Sequence, residues 1–288
     1  MLDLHSHILP GIDDGAPDLE TSLEMARAYA SQGVECVVCT PHIVPGLYEN
    51  SGPDIRRRVA ELQARLDDAD IPLRLLAGAD NHVTPTFVTG LRQGRLLSLA
   101  DSAYVLVEPP HHVVPPRLEE LFFEVSLAGY VPVLTHPERL SWIDAKYDVI
   151  ARLVAQGVWM QVTSGSLRGA FGRRPRYWAE RMLEEGLVHI LASDAHNMGS
   201  RRPDLLDGLQ AAERLAGPEE ARHLLVTRPR GIFCNVQPSD LPGPHAAAVR
   251  DELRGRDETA HHPDSAVHRS FGERVQRFFT NRPGRDTS

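Results

Sequence analysis

The chain has 288 residues, 42% hydrophobic and 24% charged, which supplies a sizeable buried core and excludes a wholly disordered protein. Thirty-one basic residues against 39 acidic ones give a net charge of −8, which excludes the overall basic footprint of a non-specific nucleic-acid binder. Three cysteines cannot staple a chain of this length, and the opening residues carry neither the basic nor the apolar region of a secretion signal, so a reducing, cytoplasmic setting is expected.

Seven runs rich in leucine or β-branched residues alternate with helical patterns. The runs are 1–7, 34–42, 73–80, 103–108, 131–136, 158–164 and 189–196; the helical patterns between them are 19–31, 55–68, 118–127, 148–156 and 178–185. Gly33, Gly129, Gly157 and Gly186 stand just ahead of the following run, where a helix C-cap needs a left-handed backbone. This alternation predicts a parallel α/β fold over residues 1–236, a seven-stranded (βα) barrel, with a doubly wound open sheet as the alternative. From Gln237 onward, prolines at 238, 242, 244, 263 and 283 interrupt a charged stretch, which predicts a mobile tail over 237–288. Within it Val267, Phe271, Val275 and Phe278 recur at helical spacing, which predicts an amphipathic helix over 265–281. Arg269, Arg274 and Arg277 lie between them, so an acidic partner surface or an anionic membrane face is the expected receiver, with docking on the protein's own barrel as the alternative.

Polar residues gather where the strand runs end. The first run closes on His5-Ser-His7, the second on His42, the third on Asp80, the fourth on Glu108, the fifth on His136 and the last on Asp194-Ala-His196. Sites of parallel α/β folds lie at the carboxyl ends of the strands, so residues scattered over the chain are expected to converge in one crevice. His5 and His7 are two apart and share a strand face, as do Asp194 and His196. With Asp14 from the first loop the set holds five imidazoles and four carboxylates, a donor mixture that suits manganese, iron, cobalt, zinc or magnesium and fills two or three sites. Arg139 and Arg201 follow these residues closely, and two guanidiniums beside metal ions would clamp an anion.

Other candidates carry less. A single strand histidine is more often a hydrogen-bonded core residue, and His82, His111, His112, His189 and His223, which lack the strand-end pattern, are read as structural or surface. Cys36 and Cys39 face opposite sides of one strand with no second pair, so they are read as buried, inert thiols. A cysteine-dependent tyrosine phosphatase needs an arginine six residues past its nucleophile. Here that position holds His42, Pro45 or Asp240, which excludes the mechanism.

Taken together, His5-Ser-His7, Asp13-Asp14-Gly15, Thr40-Pro41-His42, Glu108, His136-Pro137-Glu138-Arg139 and Ser193-Asp194-Ala195-His196-Asn197 resemble the polymerase-and-histidinol-phosphatase (PHP) superfamily. More narrowly they resemble its bacterial protein-tyrosine phosphatases of capsule and exopolysaccharide operons, over about residues 1–236. The resemblance implies a distorted seven-stranded PHP barrel with a trinuclear metal centre, manganese foremost. His5, His7, Asp80 and Asp194 would hold the first ion, Asp80, Glu108 and His136 the second, and Asp14, His42 and His196 the third. Arg139 and Arg201 would bind phosphate. Asp80 is one methylene shorter than the glutamate usual there. The implied substrate is phosphotyrosine on a bacterial tyrosine kinase that controls polysaccharide export. The rival readings are hydrolysis of histidinol phosphate or another small phosphomonoester, and a non-catalytic metal-binding scaffold; self-association is compatible with each.

Overall fold

The computed structural model describes residues 1–245; the expected helix over 265–281 lies outside them. The strands are β1 (Leu2–Ser6), β2 (Cys36–Cys39), β3 (His42–Ile43), β4 (Arg74–Ala77), β5 (Asp80–His82), β6 (Tyr104–Glu108), β7 (Val131–Thr135), β8 (Trp159–Thr163) and β9 (Ile190–Ala192). All pairings between them are parallel: one sheet runs β1-β2-β4 and the other β3-β5-β6-β7-β8-β9. The backbone N–H of Asp194 donates to His5 and that of His7 to Ala195, which ties the end of β9 to β1 and curls the sheets.

The expected count of seven strands is corrected to nine among the described residues. All seven runs form strands, but two of them break, at Thr40-Pro41 and at Gly78-Ala79. Pro41 has no N–H for the ladder, and Gly78 sits where a Cβ would come within 2.7 Å of Val38. The break lets His42 and Asp80 start new strands that pair with each other.

The helices are α1 (Leu19–Ser31), α2 (Gly52–Asp68), α3 (Phe87–Arg92), α4 (Leu118–Leu127), α5 (Ile143–Ala155), α6 (Ser164–Leu167), α7 (Arg173–Glu184), α8 (Leu205–Arg222) and α9 (Arg228–Phe233). Asp18 caps α1 by accepting from the N–H of Thr21, and Gly129 and Gly157 follow α4 and α5 at φ of 89° each. Helices α5 and α7 start five residues before their sequence patterns, at Ile143 and Arg173. No helix among the described residues is long and apolar enough to cross a membrane.

The apolar core has two parts. A large cluster fills the space between sheets and helices. A smaller one, built from Leu4, Val38, Leu106, Val133, Trp159 and Ile190 with Ile232 of α9, plugs the interior of the curled sheet. Both Leu4 and His5 meet interior residues, which a regular strand does not allow; the irregular β1–β2 register between Asp3 and Ser6 accommodates them. With its lower part plugged, the interior is open to polar side chains only at the strand carboxyl ends.

Described residues just beyond 236 also pack on the fold. Leu241 packs against Gly231 and the interior cluster, and the buried Arg228 donates to the carbonyls of Pro242 and Gly243 at 2.7 Å each while pairing with buried Glu220. The prolines that hide this segment from periodicity leave its carbonyls free to accept. A chain ending at residue 239 is therefore expected to melt lower than one ending at 245 by roughly 5 °C or more, since each charge-assisted bond is worth about 1.5–3 kcal/mol. Equal midpoints in thermal melts would contradict the docking.

Candidate metal and phosphate site

The ends of the strand runs, with the breaks and loops beside them, carry the candidate residues into one chamber. His5 lies in β1 and His7 just past it; His42 and Asp80 open β3 and β5; Glu108 closes β6; His136 follows β7; Asp194 and His196 follow β9. His5, His7 and Asp80 are fully buried, and Glu108, His136, Asp194 and His196 nearly so, while Asp14 reaches in from the β1–α1 loop. His5 Nε2 is 3.5 Å from Asp80 Oδ2 and 3.4 Å from Asp194 Oδ1, and His7 Nε2 is 3.3 Å from the latter. Asp14 Oδ1 lies 3.5 Å from His42 Nε2 and 3.4 Å from His196 Nε2, and Glu108 Oε2 lies 3.3 Å from His42 Nδ1. His136 Nε2 is 3.8 Å from both Asp80 and Glu108.

Backbone conformation contributes to the placement. His136 and Asp194 take left-handed φ of 32° and 51°, a strained state for residues with a Cβ that turns the side chains in at the strand ends. Gly15 lies against β1 so closely that a Cβ there would sit 2.2 Å from the carbonyl oxygen of His7.

Supporting partners orient the imidazoles. Asp13 Oδ2 lies 2.7 Å from His7 Nδ1 and accepts from the N–H of His42, and its other oxygen accepts from the N–H of Gly15. Gln161 Oε1 lies 2.9 Å from His5 Nδ1, and the carbonyl of Asp194 lies 2.9 Å from His196 Nδ1. Such contacts on one ring nitrogen leave the other directed into the chamber. Sequence reading missed Gln161 altogether and gave Asp13 no role of its own, because neither stands out by type or spacing until its neighbours are known.

Polar bonding in the chamber is incomplete. Asp80 Oδ1 and Oδ2, Asp194 Oδ1, His42 Nδ1, His136 Nδ1 and His196 Nε2 are buried and make no hydrogen bond, although buried polar groups in native proteins are almost always satisfied. Four sets of imidazole and carboxylate atoms lie within 4.8 Å of one another: His5, His7 and Asp80; His7, Asp14, His42 and His196; His42, Asp80 and Glu108; and Glu108, His111 and His136. Orphaned oxygen and nitrogen donors in such sets fit divalent cations of the manganese, iron, cobalt, zinc or magnesium kind.

Charge follows the same pattern. Burial opposes ionisation of Asp194, but Arg201, His5 and Arg139 outweigh it and hold the carboxyl well below its usual range. Burial likewise opposes a charged His5 and His42, yet Asp80 and Asp194 raise the first to about 9, and Glu108 and Asp80 raise the second to about 10. Burial, with the charge of Arg139, takes His136 down to about 4; burial, with His7, takes His196 down to about 4.

Both arginines stand at the chamber. The guanidiniums of Arg139 and Arg201 meet on Asp194 Oδ2, the latter at 2.9 Å, and Arg201 also reaches Asp14 at 3.3 Å. Arg139 lies over the ring of Phe171 at 4.4 Å, and its turn is held by Glu138, which accepts from the N–H of Thr163 and the hydroxyl of Ser166. Arg201 is folded back by the carbonyl it offers to the N–H groups of His196 and Asn197.

Two further histidines stand beside the chamber. His82 and His111, read as structural or surface, lie 3.5 Å from Glu108 Oε2 and Oε1. Neither closes a strand run with a motif, so the strand-end criterion passed over them. His189 is structural as expected, stacked on Trp159 and accepting from the N–H of Met160. Cys36 and Cys39 are buried, which pushes the first thiol up to about 12 and raises the second well above its usual value, as inert thiols require.

Comparison with known proteins gives concordant matches. The model of the family described as capsular polysaccharide synthesis, CpsB/CapC, matches residues 1–234. The tyrosine-protein phosphatase YwqE of Bacillus subtilis is 40% identical over 219 residues, 76% of this chain and 86% of YwqE. The tyrosine-protein phosphatase CpsB of Streptococcus pneumoniae is 27% identical over 81% of this chain and 98% of its own. A solved structure from work on YwqE and CpsB, described as unique metal-dependent tyrosine phosphatases, superposes with a TM-score of 0.78 at 37% identity, over 85% of this chain and 99% of the other.

In the metal-free protein His5 and His42, raised to about 9 and 10, carry protons at neutral pH. A cation held by these imidazoles would displace those protons, so its affinity is expected to rise with pH and level off only above these values, by roughly tenfold per unit for each proton displaced. Calorimetric manganese titrations between pH 6.5 and 8.5 in buffers of different ionisation enthalpy would show this, and a flat profile without proton release would refute it.

Proposed function

We propose, for a chain that belongs to the CpsB/CapC capsular polysaccharide synthesis family, a metal-dependent protein-tyrosine phosphatase that hydrolyses phosphotyrosine by way of the strand-end chamber. The observation that carries this reading is a buried set of orphaned carboxylates and imidazoles beside two arginines, in a chain 40% identical to a tyrosine phosphatase. His5, His7, Asp80 and Asp194 are proposed to hold one cation, Asp80, Glu108 and His136 a second, and Asp14, His42 and His196 a third, with manganese as the metal. Bound divalent cations supply Lewis-acid polarisation of phosphoryl oxygens and a water acidic enough to act as nucleophile near neutral pH.

The chain's own residues do the rest. Arg139 and Arg201 turn planar guanidiniums toward the chamber and bind phosphate oxygens, each such bond worth about 1.5–3 kcal/mol. Phe171 backs the Arg139 guanidinium, and Tyr48, stacked on His42 at 5.7 Å, adds a second aromatic surface for a tyrosyl ring. The leaving phenol has a pKa near ~10, so the phenolate departs with little need of a proton donor. Aryl esters are thereby favoured over alkyl ones. Within the family's setting the substrate is proposed to be a tyrosine kinase of polysaccharide export acting from the cytoplasmic side; the net charge of −8 speaks against nucleic acid.

The test is turnover by manganese-loaded protein of a phosphotyrosine peptide beside histidinol phosphate; faster cleavage of the latter would replace this reading. His136→Ala and Asp194→Ala are expected to abolish turnover, and Arg139→Ala to raise KM for the peptide roughly ten- to hundredfold.

The sequence-predicted helix over 265–281 is proposed to recruit the kinase or the adjoining membrane. Because residues 241–243 dock on the barrel, the informative deletion is 246–288. It should spare hydrolysis of a small aryl phosphate and slow dephosphorylation of the membrane-bound kinase; equal effects on both substrates would reject recruitment.

A further inference from the structure

Among the described residues, Glu108 is the carboxylate with the most histidines around it. Its Oε2 faces His42 at 3.3 Å and His82 at 3.5 Å, and its Oε1 faces His111 at 3.5 Å and His136 at 3.8 Å. On the Oε1 side the donor atoms of Glu108, His111 and His136 lie within 4.8 Å of one another, and the rings of His111 and His136 are 5.1 Å apart. His82, by contrast, belongs to no such three-residue set among the described residues.

His111 belongs to the β6–α4 loop, but its backbone is fixed. The N–H and hydroxyl of Ser141 both donate to its carbonyl, at 2.9 and 3.0 Å, and the indole of Trp142 donates to the carbonyl of Pro110 at 3.1 Å. Ser141 and Trp142 directly follow the turn that carries His136 and Arg139. The loop is thus fastened to the element that presents His136, and the imidazole is set against Glu108 while its neighbour His112 is exposed.

We propose that His111 is a further metal-binding residue of this chamber, sharing one cation with Glu108 and His136. Two histidines and a carboxylate on three different strand-end segments form an oxygen and nitrogen set suited to a borderline divalent ion. A cation bound there would be held by a loop as well as by strands.

The proposal rests on the cation reading of the site, and the experiment separates the two. Full-length protein stripped of metal is titrated with cobalt(II), following bound equivalents and the visible d–d bands, for the wild type, His111→Ala, His111→Gln and His112→Ala, with circular dichroism confirming the fold of each. His111→Ala is expected to weaken one class of site by at least about tenfold and to shift its d–d spectrum. His112→Ala should titrate as the wild type does. His111→Gln keeps a hydrogen-bonding amide and should stay as weak as the alanine variant. A His111→Ala protein with unchanged affinity and spectrum overturns the proposal, and so does full recovery in His111→Gln, which would reduce His111 to a hydrogen-bonding support for Glu108. Wild-type protein that takes up no cobalt would overturn the cation reading of the whole chamber.

Discussion

Three nearly buried carboxylates, Asp80, Asp194 and Glu108, share one chamber, and the surrounding structure is arranged to keep them ionised there. Moving a carboxylate out of water costs several kcal/mol even after the protein relaxes, so an uncompensated group would take up a proton. Burial pushes all three in that direction, yet imidazoles and guanidiniums hold all three low. The compensation comes from residues on six different stretches of sequence, around His5, His42, His82, His111, His136 and His196. Parallel strands in a curled sheet are a topology that brings so many chain segments to a single point with their carboxyl ends aligned.

The histidines divide into two electrostatic kinds. His5 and His42 are raised and act as counter-charges to the carboxylates, whereas His136 and His196 are held near 4 and present neutral nitrogen lone pairs. A cation entering the chamber would take over the role of the first kind and bind the second without displacing a proton. Behind them lies a layer that does not touch the chamber's centre. Asp3, fully buried, accepts from the Ser193 N–H and hydroxyl and from Tyr29, and so locks the start of β1 to the end of β9 beneath His5 and Asp194. The left-handed backbone at His136 and Asp194, costing roughly 1–3 kcal/mol each, is sustained by such over-determined surroundings.

Much of the chamber was legible in the sequence, because ligand types at the ends of successive strand runs converge by topology alone. His5, His7, His42, Asp80, Glu108, His136, Asp194 and His196 all follow that rule. What was not legible depends on how loops, strand breaks and neighbouring strands place side chains. His111 and His82 have no periodicity to mark them, and Gln161 supports His5 from the middle of a strand run where it reads as an ordinary alternating polar residue. The strand breaks at Pro41 and Gly78 look like minor interruptions of two good strands, and only the register shows that they re-aim His42 and Asp80. The docking of 237–245 was hidden for another reason: it relies on backbone carbonyls accepting from Arg228, and side-chain patterns carry no record of such bonds.

Asp194 shows how the two halves of the chamber depend on each other. Its Oδ1 faces the imidazoles of His5 and His7, and its Oδ2 faces the guanidiniums of Arg139 and Arg201. One carboxylate therefore stands between the group of donors that fits cations and the pair of donors that fits a phosphate. Charge placed on the Oδ1 side draws electron density from the oxygens and weakens their hold on the arginines, while an anion arriving at the arginines competes for the same guanidinium protons. Each change favours the other, because a guanidinium released from Oδ2 is free to bind phosphate and an Asp194 released from the arginines offers its full charge to a cation. Cation and anion binding, as proposed for this site, would thus be linked through a single side chain, with no movement of the strands that carry it.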